Sequence, residues 1–160
     1  MKKALVAYFS ASGTTAKLAA AVAAAAEGEL FEIRPLVPYS AADLKWTNPL
    51  SRCNREKIGK KTIPLASSVE NWADFDTVFL GFPIWYYGAP NVIESFAKSY
   101  DWSGKTVVLF ATSGGSNIGK TAEKLLPFLN GCGAVADARV FSADVAQSEL
   151  SLWAKRFCQE

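Results

Sequence analysis

The chain has 160 residues, half of them hydrophobic and a fifth charged, with 11 Gly and 7 Pro. That length holds one ordinary domain, here residues 1–160, with a real core, and the composition excludes disordered, collagen-like and low-complexity chains. A net charge of +2, from 17 basic and 15 acidic residues, excludes a strongly basic nucleic-acid binder and a strongly acidic protein alike.

Ala4 to Phe9 is a near-continuous apolar run and reads as a buried strand, followed by a helix from Thr14 to about Ala26. Met1-Lys2-Lys3 and the alanine-rich stretch imitate a secretory signal, but the apolar run is short, and Ser10 to Thr15 with Lys17 interrupts it. No run approaches the roughly 18 apolar residues of a membrane span. Glu29 to Arg34 is a second strand, ending at Pro35. Residues 38–62 form a connection longer than usual, and therefore functional or locally structured. Thr77 to Leu80 is a third strand, followed by Gly81 and Pro83. A helix starts near Pro90, with Val92, Ile93, Phe96, Ala97 and Tyr100 on one face. Lys105 to Ala111 is a fourth strand. Ile118, Ala122, Leu125, Leu126 and Leu129 form the next helical stripe, closed by Gly131. Ala134 to Val140 is a fifth strand, and Leu150, Trp153, Ala154 and Phe157 mark a last helix.

The first, third and fourth strands are apolar throughout, as strands covered on both faces must be. The second and fifth carry Glu29, Glu32, Arg34 and Asp137, Arg139, which suits the two edges. With right-handed crossovers the expected fold is α/β, a three-layer, doubly wound, five-stranded parallel sheet in the order 2-1-3-4-5. Such sheets bind ligands beyond the carboxyl ends of their central strands, so the site is expected in three loops, Ser10 to Thr15, Phe82 to Ala89 and Thr112 to Gly119.

The first loop, Ser10-Ala11-Ser12-Gly13-Thr14-Thr15, sets four hydroxyls and one glycine at a helix start, a phosphate cradle of neutral donors. It resembles the phosphate loop of the flavodoxin family, (T/S)-x-(T/S)-G-x-T, with Ser10, Ser12, Gly13 and Thr15 matching position by position. The resemblance implies the phosphate of FMN as ligand and extends to the other loops. Pro83-Ile84-Trp85-Tyr86-Tyr87 is similar to the family loop that carries a flavin-stacking Trp, which implies that role for Trp85, with Tyr86 or Tyr87 as substitutes. Thr112-Ser113-Gly114-Gly115 matches the third flavin-contacting loop, where glycines let the backbone approach a flat ring. No Tyr is present there to cover the second flavin face. Because Trp85-Tyr86-Tyr87 contains no Gly and other residues resist positive φ, the one-electron-reduced flavin is expected to be weakly stabilised. Asp43-Leu44-Lys45-Trp46 further resembles a D-L-x-W segment of a bacterial single-domain subgroup.

Without histidine, the commonest general base and metal ligand and every Ser-His or Cys-His nucleophile scheme are missing. No metal site and no catalytic side chain are expected, the chemistry being that of FMN. Cys53, Cys132 and Cys158 are odd in number and form no C-x-x-C pair, which suits reduced thiols in the cytoplasm. Gly114 to Thr121 also satisfies G-x-x-x-x-G-K-T, but no apolar strand ends in an acidic residue to hold magnesium. Gly131 to Ala136 fits G-x-G-x-x-A, but precedes a strand and so is a helix stop. Between Lys45 and Lys61, Arg52, Arg55, Lys57 and Lys60 add to a basic run opposed only by Glu56. Trp46 and Arg52 are candidates to cover the flavin edge or a substrate.

The leading expectation is an FMN-binding flavodoxin transferring electrons between redox partners. The alternative is an NAD(P)H-dependent FMN reductase acting on quinones or similar small acceptors, and a third is a flavodoxin-fold binding module without redox activity. Neither nucleic acid nor membrane is expected as a partner.

Overall fold

A computed structural model of the chain describes residues 3–45, 47–59, 62–86, 88–113 and 117–158. Five strands, β1 (Ala4–Tyr8), β2 (Glu29–Glu32), β3 (Thr77–Pro83), β4 (Thr106–Thr112) and β5 (Asp137–Phe141), form one sheet in the order β2-β1-β3-β4-β5, every neighbouring pair parallel. The charged strands stand at the edges, as their composition requires. Asp137 on β5 accepts from Trp153 Nε1 at 2.8 Å, and Arg139 donates to Glu149 at 2.8 Å.

Helices cover both faces: α1 (Thr14–Ala26), α2 (Arg52–Gly59), α3 (Asn91–Ala97), α4 (Thr121–Leu125) and α5 (Gln147–Lys155). Alternation along β1 sends Leu5, Ala7 and Phe9 to one face with Leu80, Phe82, Leu109, Phe96 of α3 and Trp102. Val6 and Tyr8 face the other, with Phe79, Phe110, the alanine-rich side of α1, and Leu150 and Trp153 of α5. The small side chains of α1 let the helix lie close on the sheet.

β2 ends at Glu32 and not Arg34, β5 begins at Asp137 and not Ala134, α3 ends at Ala97 before Tyr100, and three further elements differ more deeply from the sequence reading. β3 runs on through Gly81 and Phe82 to Pro83, with Gly81 opposite Phe110 and Pro83 opposite Thr112. A Cβ at Gly81 would overlap the Phe110 ring, so this glycine serves close packing inside a central strand instead of ending it. The expected helix through Leu129 is cut after five residues, and Leu126–Phe128 is a 3-10 turn, because Pro127 cannot continue the α-helical ladder. The long connection contains α2, which its apolar periodicity does not announce.

Candidate functional site

After β1, the Phe9 N–H donates to the Gly81 carbonyl at 3.0 Å, and residues 10–13 turn the chain into α1. Gly13 makes that turn at φ +93, where a side chain would be strained, and its N–H donates to Ser10 Oγ at 3.0 Å. No side chain caps α1, and its first turn holds no acidic residue. Nothing lies within 4 Å of where a Gly13 Cβ would stand. Ser12 and Gly13 are exposed, while Ser10, Ala11 and Thr14 are half-buried. Uncapped amide donors, the positive end of a 13-residue helix and several hydroxyls therefore meet in open space, which fits a phosphate.

Thr15 lies deeper, at 2% exposure, with its Oγ1 2.8 Å from that of Thr112, itself 6% exposed. This bond ties the first turn of α1 to the end of β4. Either oxygen can be the donor; when Thr112 donates, the Thr15 proton is left for an acceptor.

At the end of β3, Pro83 is the last strand residue, and the Ile84 N–H donates to the Thr112 carbonyl at 2.9 Å, joining the second and third loops. Trp85 and Gly88 then exchange backbone hydrogen bonds of 2.8 and 3.0 Å, closing a tight turn. Tyr86 sits in this turn at φ +52. The expectation that non-Gly residues keep the turn away from positive φ is thus wrong at Tyr86, and the inference of a weakly stabilised one-electron state loses its premise. The strain is held by side-chain bonds: the Tyr86 hydroxyl donates to Asn54 Oδ1 and lies 3.3 Å from Cys53 Sγ. Burial, then the Cys53 contact, raises the Tyr86 phenol above its ordinary range.

Trp85 is half-buried, with its ring perpendicular to Phe9 and to Tyr39 at 5.5 Å from each. Tyr39 belongs to the long connection, and sequence reasoning missed it. Its hydroxyl donates to Glu56 Oε1, and burial followed by that hydrogen bond pushes its phenol far above the usual range. The Arg52 guanidinium lies 4.1 Å from the Tyr39 ring centroid, donates to Glu56 Oε2 at 3.0 Å, and reaches the carbonyls of Val37 and Pro38 at 2.7 and 3.1 Å. At 16% side-chain exposure Arg52 is bonded to the chain's own acceptors. The Arg52 and Glu56 spacing of four on one helix is the signal from which sequence reasoning could have found this pairing. Just before α2, Ser40 and Asp43 bond reciprocally, each backbone N–H to the other's side chain, at 3.0 and 3.1 Å. The Ser40 amide holds the Asp43 carboxyl below its ordinary range.

Of the remaining expected site residues, Ser113 is half-buried after β4, whereas Trp46, Tyr87, Gly114 and Gly115 lie outside the described residues. The Thr121 hydroxyl of the G-x-x-x-x-G-K-T stretch is buried and donates to the Ile118 carbonyl, so it is not presented as that motif requires. A cleft of about 410 Å³ opens beside Ser10 and Ala11, walled by Phe9, Ile33 and Tyr39 with Glu32 and Arg34 at its polar side.

No helix among the described residues is long and apolar enough to cross a membrane. Residues 3–157 match the flavodoxin family (Flavodoxin_4). The structure is similar to a protein assigned as a flavoprotein from Bacteroides eggerthii DSM 20697, with 40% identity, all of both chains covered and a TM-score of 0.89. A counterpart from Bacteroides uniformis ATCC 8492 is also 40% identical, with 96% of this chain and 98% of that one covered and a TM-score of 0.89. A flavoprotein from Lactobacillus acidophilus NCFM, solved in complex with FMN, shares the fold at 24% identity, with 96% and 99% covered and a TM-score of 0.68. Comparison with curated proteins finds no match. The order of the sheet and the places of its three loops follow from the chain's own residues, and a family match over residues 3–157 turns that likeness into membership: the chain belongs to the flavodoxin family.

Proposed function

We propose that this flavodoxin binds FMN and transfers electrons between redox partners. The observation that carries the reading is the uncapped, hydroxyl-lined start of α1, turned by Gly13 and set beside the Trp85 turn at the ends of the central strands. The fold it shares with the FMN-bound Lactobacillus protein is in keeping with it. When bound, FMN supplies an isoalloxazine that takes up and releases electrons.

The chain's own residues do the rest. Ser10, Ser12, Thr14 and Thr15, with the amides of the first helical turn, hold the phosphate through neutral donors. Trp85 offers the ring surface for stacking, and Ile84, tied to Thr112, keeps the second and third loops in step. Ser113, just after β4, is placed to lend its backbone amide to the ring edge. The three cysteines are free, in keeping with a cytoplasmic protein.

The cleft of about 410 Å³ beside Ser10 and Ala11 favours a second reading, an NAD(P)H-dependent FMN reductase, because a second small molecule fits such a volume. Anaerobic mixing of the FMN-loaded protein with NADH and NADPH separates the two. Flavin that stays oxidised until a partner reductase is added marks the carrier, and prompt bleaching marks the reductase. A protein that takes up no FMN refutes both and leaves a non-redox binding module.

A further inference from the structure

Glu56 is 8% exposed, and both its carboxylate oxygens and its backbone carbonyl are hydrogen-bonded. Its Oε1 accepts from the Tyr39 hydroxyl and its Oε2 from Arg52 Nε at 3.0 Å. Its backbone carbonyl accepts from Asn91 Nδ2, at the start of α3, at 2.7 Å. Tyr39, fixed between the Glu56 carboxylate and the Arg52 guanidinium, presses its ring against Trp85. Two residues before Glu56, Asn54 accepts from Tyr86, the residue after Trp85. Only about 10 Å³ of free space remains where Glu56, Cys53 and Asn91 meet Trp85 and Tyr86. The turn is therefore gripped on both sides, by a ring at Trp85 and by a hydrogen bond at Tyr86.

From this arrangement we propose that α2 is a clamp on the Trp85 turn, with Glu56 as the positioning residue that fixes Trp85 in its flavin-facing pose through Tyr39. The proposal rests on the reading that Trp85 stacks on FMN. A buried carboxylate suits the task, because hydrogen bonds to an ionised acceptor are short and directional, and two donors on its two oxygens lock its orientation. Tyr39 stays neutral in the physiological range and so remains a donor to Glu56. Arg52, stacked on the Tyr39 ring and bonded to Glu56, keeps the pair from turning together.

The test begins on the apo protein, so that it does not depend on flavin binding. Indole Nε1–H resonances are compared in the unmodified chain, Glu56→Gln and Tyr39→Phe, with Lys45→Gln as an exposed control, and Trp85 is assigned by its loss in Trp85→Phe. Trp72, Trp102 and Trp153 serve as internal references, since their indoles bond to Asp101, Ala97 and Asp137, away from α2. The expected result is a shift of the Trp85 resonance in both network variants, with the three references and the Lys45→Gln spectrum unmoved. FMN and riboflavin dissociation constants are then expected to rise by the same factor, about tenfold, in Glu56→Gln, because the ring contact and not the phosphate contact has been loosened. A Trp85 resonance that stays in place, references that move with it, or unchanged flavin affinity overturns the proposal. Failure of the unmodified chain to bind FMN overturns the functional reading instead, and the apo spectra then decide whether the clamp exists.

Discussion

The bond between Thr15 and Thr112 joins two of the three loops at the site, and its worth can be isolated by a double-mutant cycle. Both hydroxyls are buried, at 2% and 6% exposure, and stand 2.8 Å apart. Valine has nearly the shape of threonine, so Thr15→Val keeps the packing and leaves the Thr112 hydroxyl without this partner in a place that water hardly reaches. A buried donor or acceptor so abandoned costs about 1–3 kcal/mol, whereas replacing both partners by apolar groups of the same shape is nearly neutral. Each single variant is therefore expected to lose about 2 kcal/mol, and Thr15→Val with Thr112→Val together clearly less than the sum. In urea unfolding, with a slope of about 2 kcal/mol per molar, each single variant lowers the midpoint by roughly 1 M. Loss in the double variant equal to the sum of the singles, within about 0.5 kcal/mol, would refute the bond as an energetic link between the loops.

Ser12→Ala removes an exposed hydroxyl from the start of α1 and is expected to raise the FMN dissociation constant severalfold with an unchanged melting temperature; unchanged affinity, by titration of flavin fluorescence, removes Ser12 from the site. Gly81→Ala drives a methyl into the Phe110 ring in the middle of the sheet, and chemical denaturation should show a loss of about 1–3 kcal/mol. Glu27 ends α1 at φ +51, so Glu27→Gly should raise stability by about 0.5–1 kcal/mol, read from the same unfolding curves. Burial raises the phenol groups of Tyr8, Tyr39 and Tyr86 above their ordinary value of 10.0. A raised folded-state pKa contributes stability that is complete below the unfolded value and lost as pH climbs beyond it. Ultraviolet titration of the native protein at about pH 11 should accordingly count fewer tyrosinates than the five tyrosines present, the remainder ionising with alkaline unfolding.

The sheet was legible because its information is local. Buried parallel strands must be apolar along their whole length, edge strands need not be, and the right-handed crossover leaves one order that puts Ala4–Tyr8, Thr77–Pro83 and Thr106–Thr112 inside. The Ser10 to Thr15 loop was legible for the same reason, since a helix start after a buried strand advertises its donors in sequence. Gly81 misled because a glycine that breaks a strand and one that makes room for Phe110 look alike until the neighbour across the sheet is known. The positive φ of Tyr86 was hidden because Asn54 and Cys53, more than thirty residues away, hold the turn.

The long connection resisted reading for a different reason, which also changes the meaning of the net charge of +2. Periodicity finds a helix by its apolar face, but α2 buries Cys53, Asn54 and Glu56, a face whose contacts are mostly polar. Polar burial is stable only when each group is answered, and here Arg52 answers from within α2 while the other answers come from Tyr39, Asn91 and Tyr86, which no local window on α2 contains. Charge counting along the chain made the same error, adding Arg52 to a basic surface although its guanidinium is turned inward onto Glu56 and the carbonyls of Val37 and Pro38. Among the described residues of the run, the exposed cations are Lys45 and Arg55, with Lys57 half-buried. Any acidic redox partner drawn to this segment would therefore meet Lys45 and Arg55 first. Neutralising either should alter the salt dependence of association, while neutralising Arg52 should act through Tyr39 on the Trp85 turn.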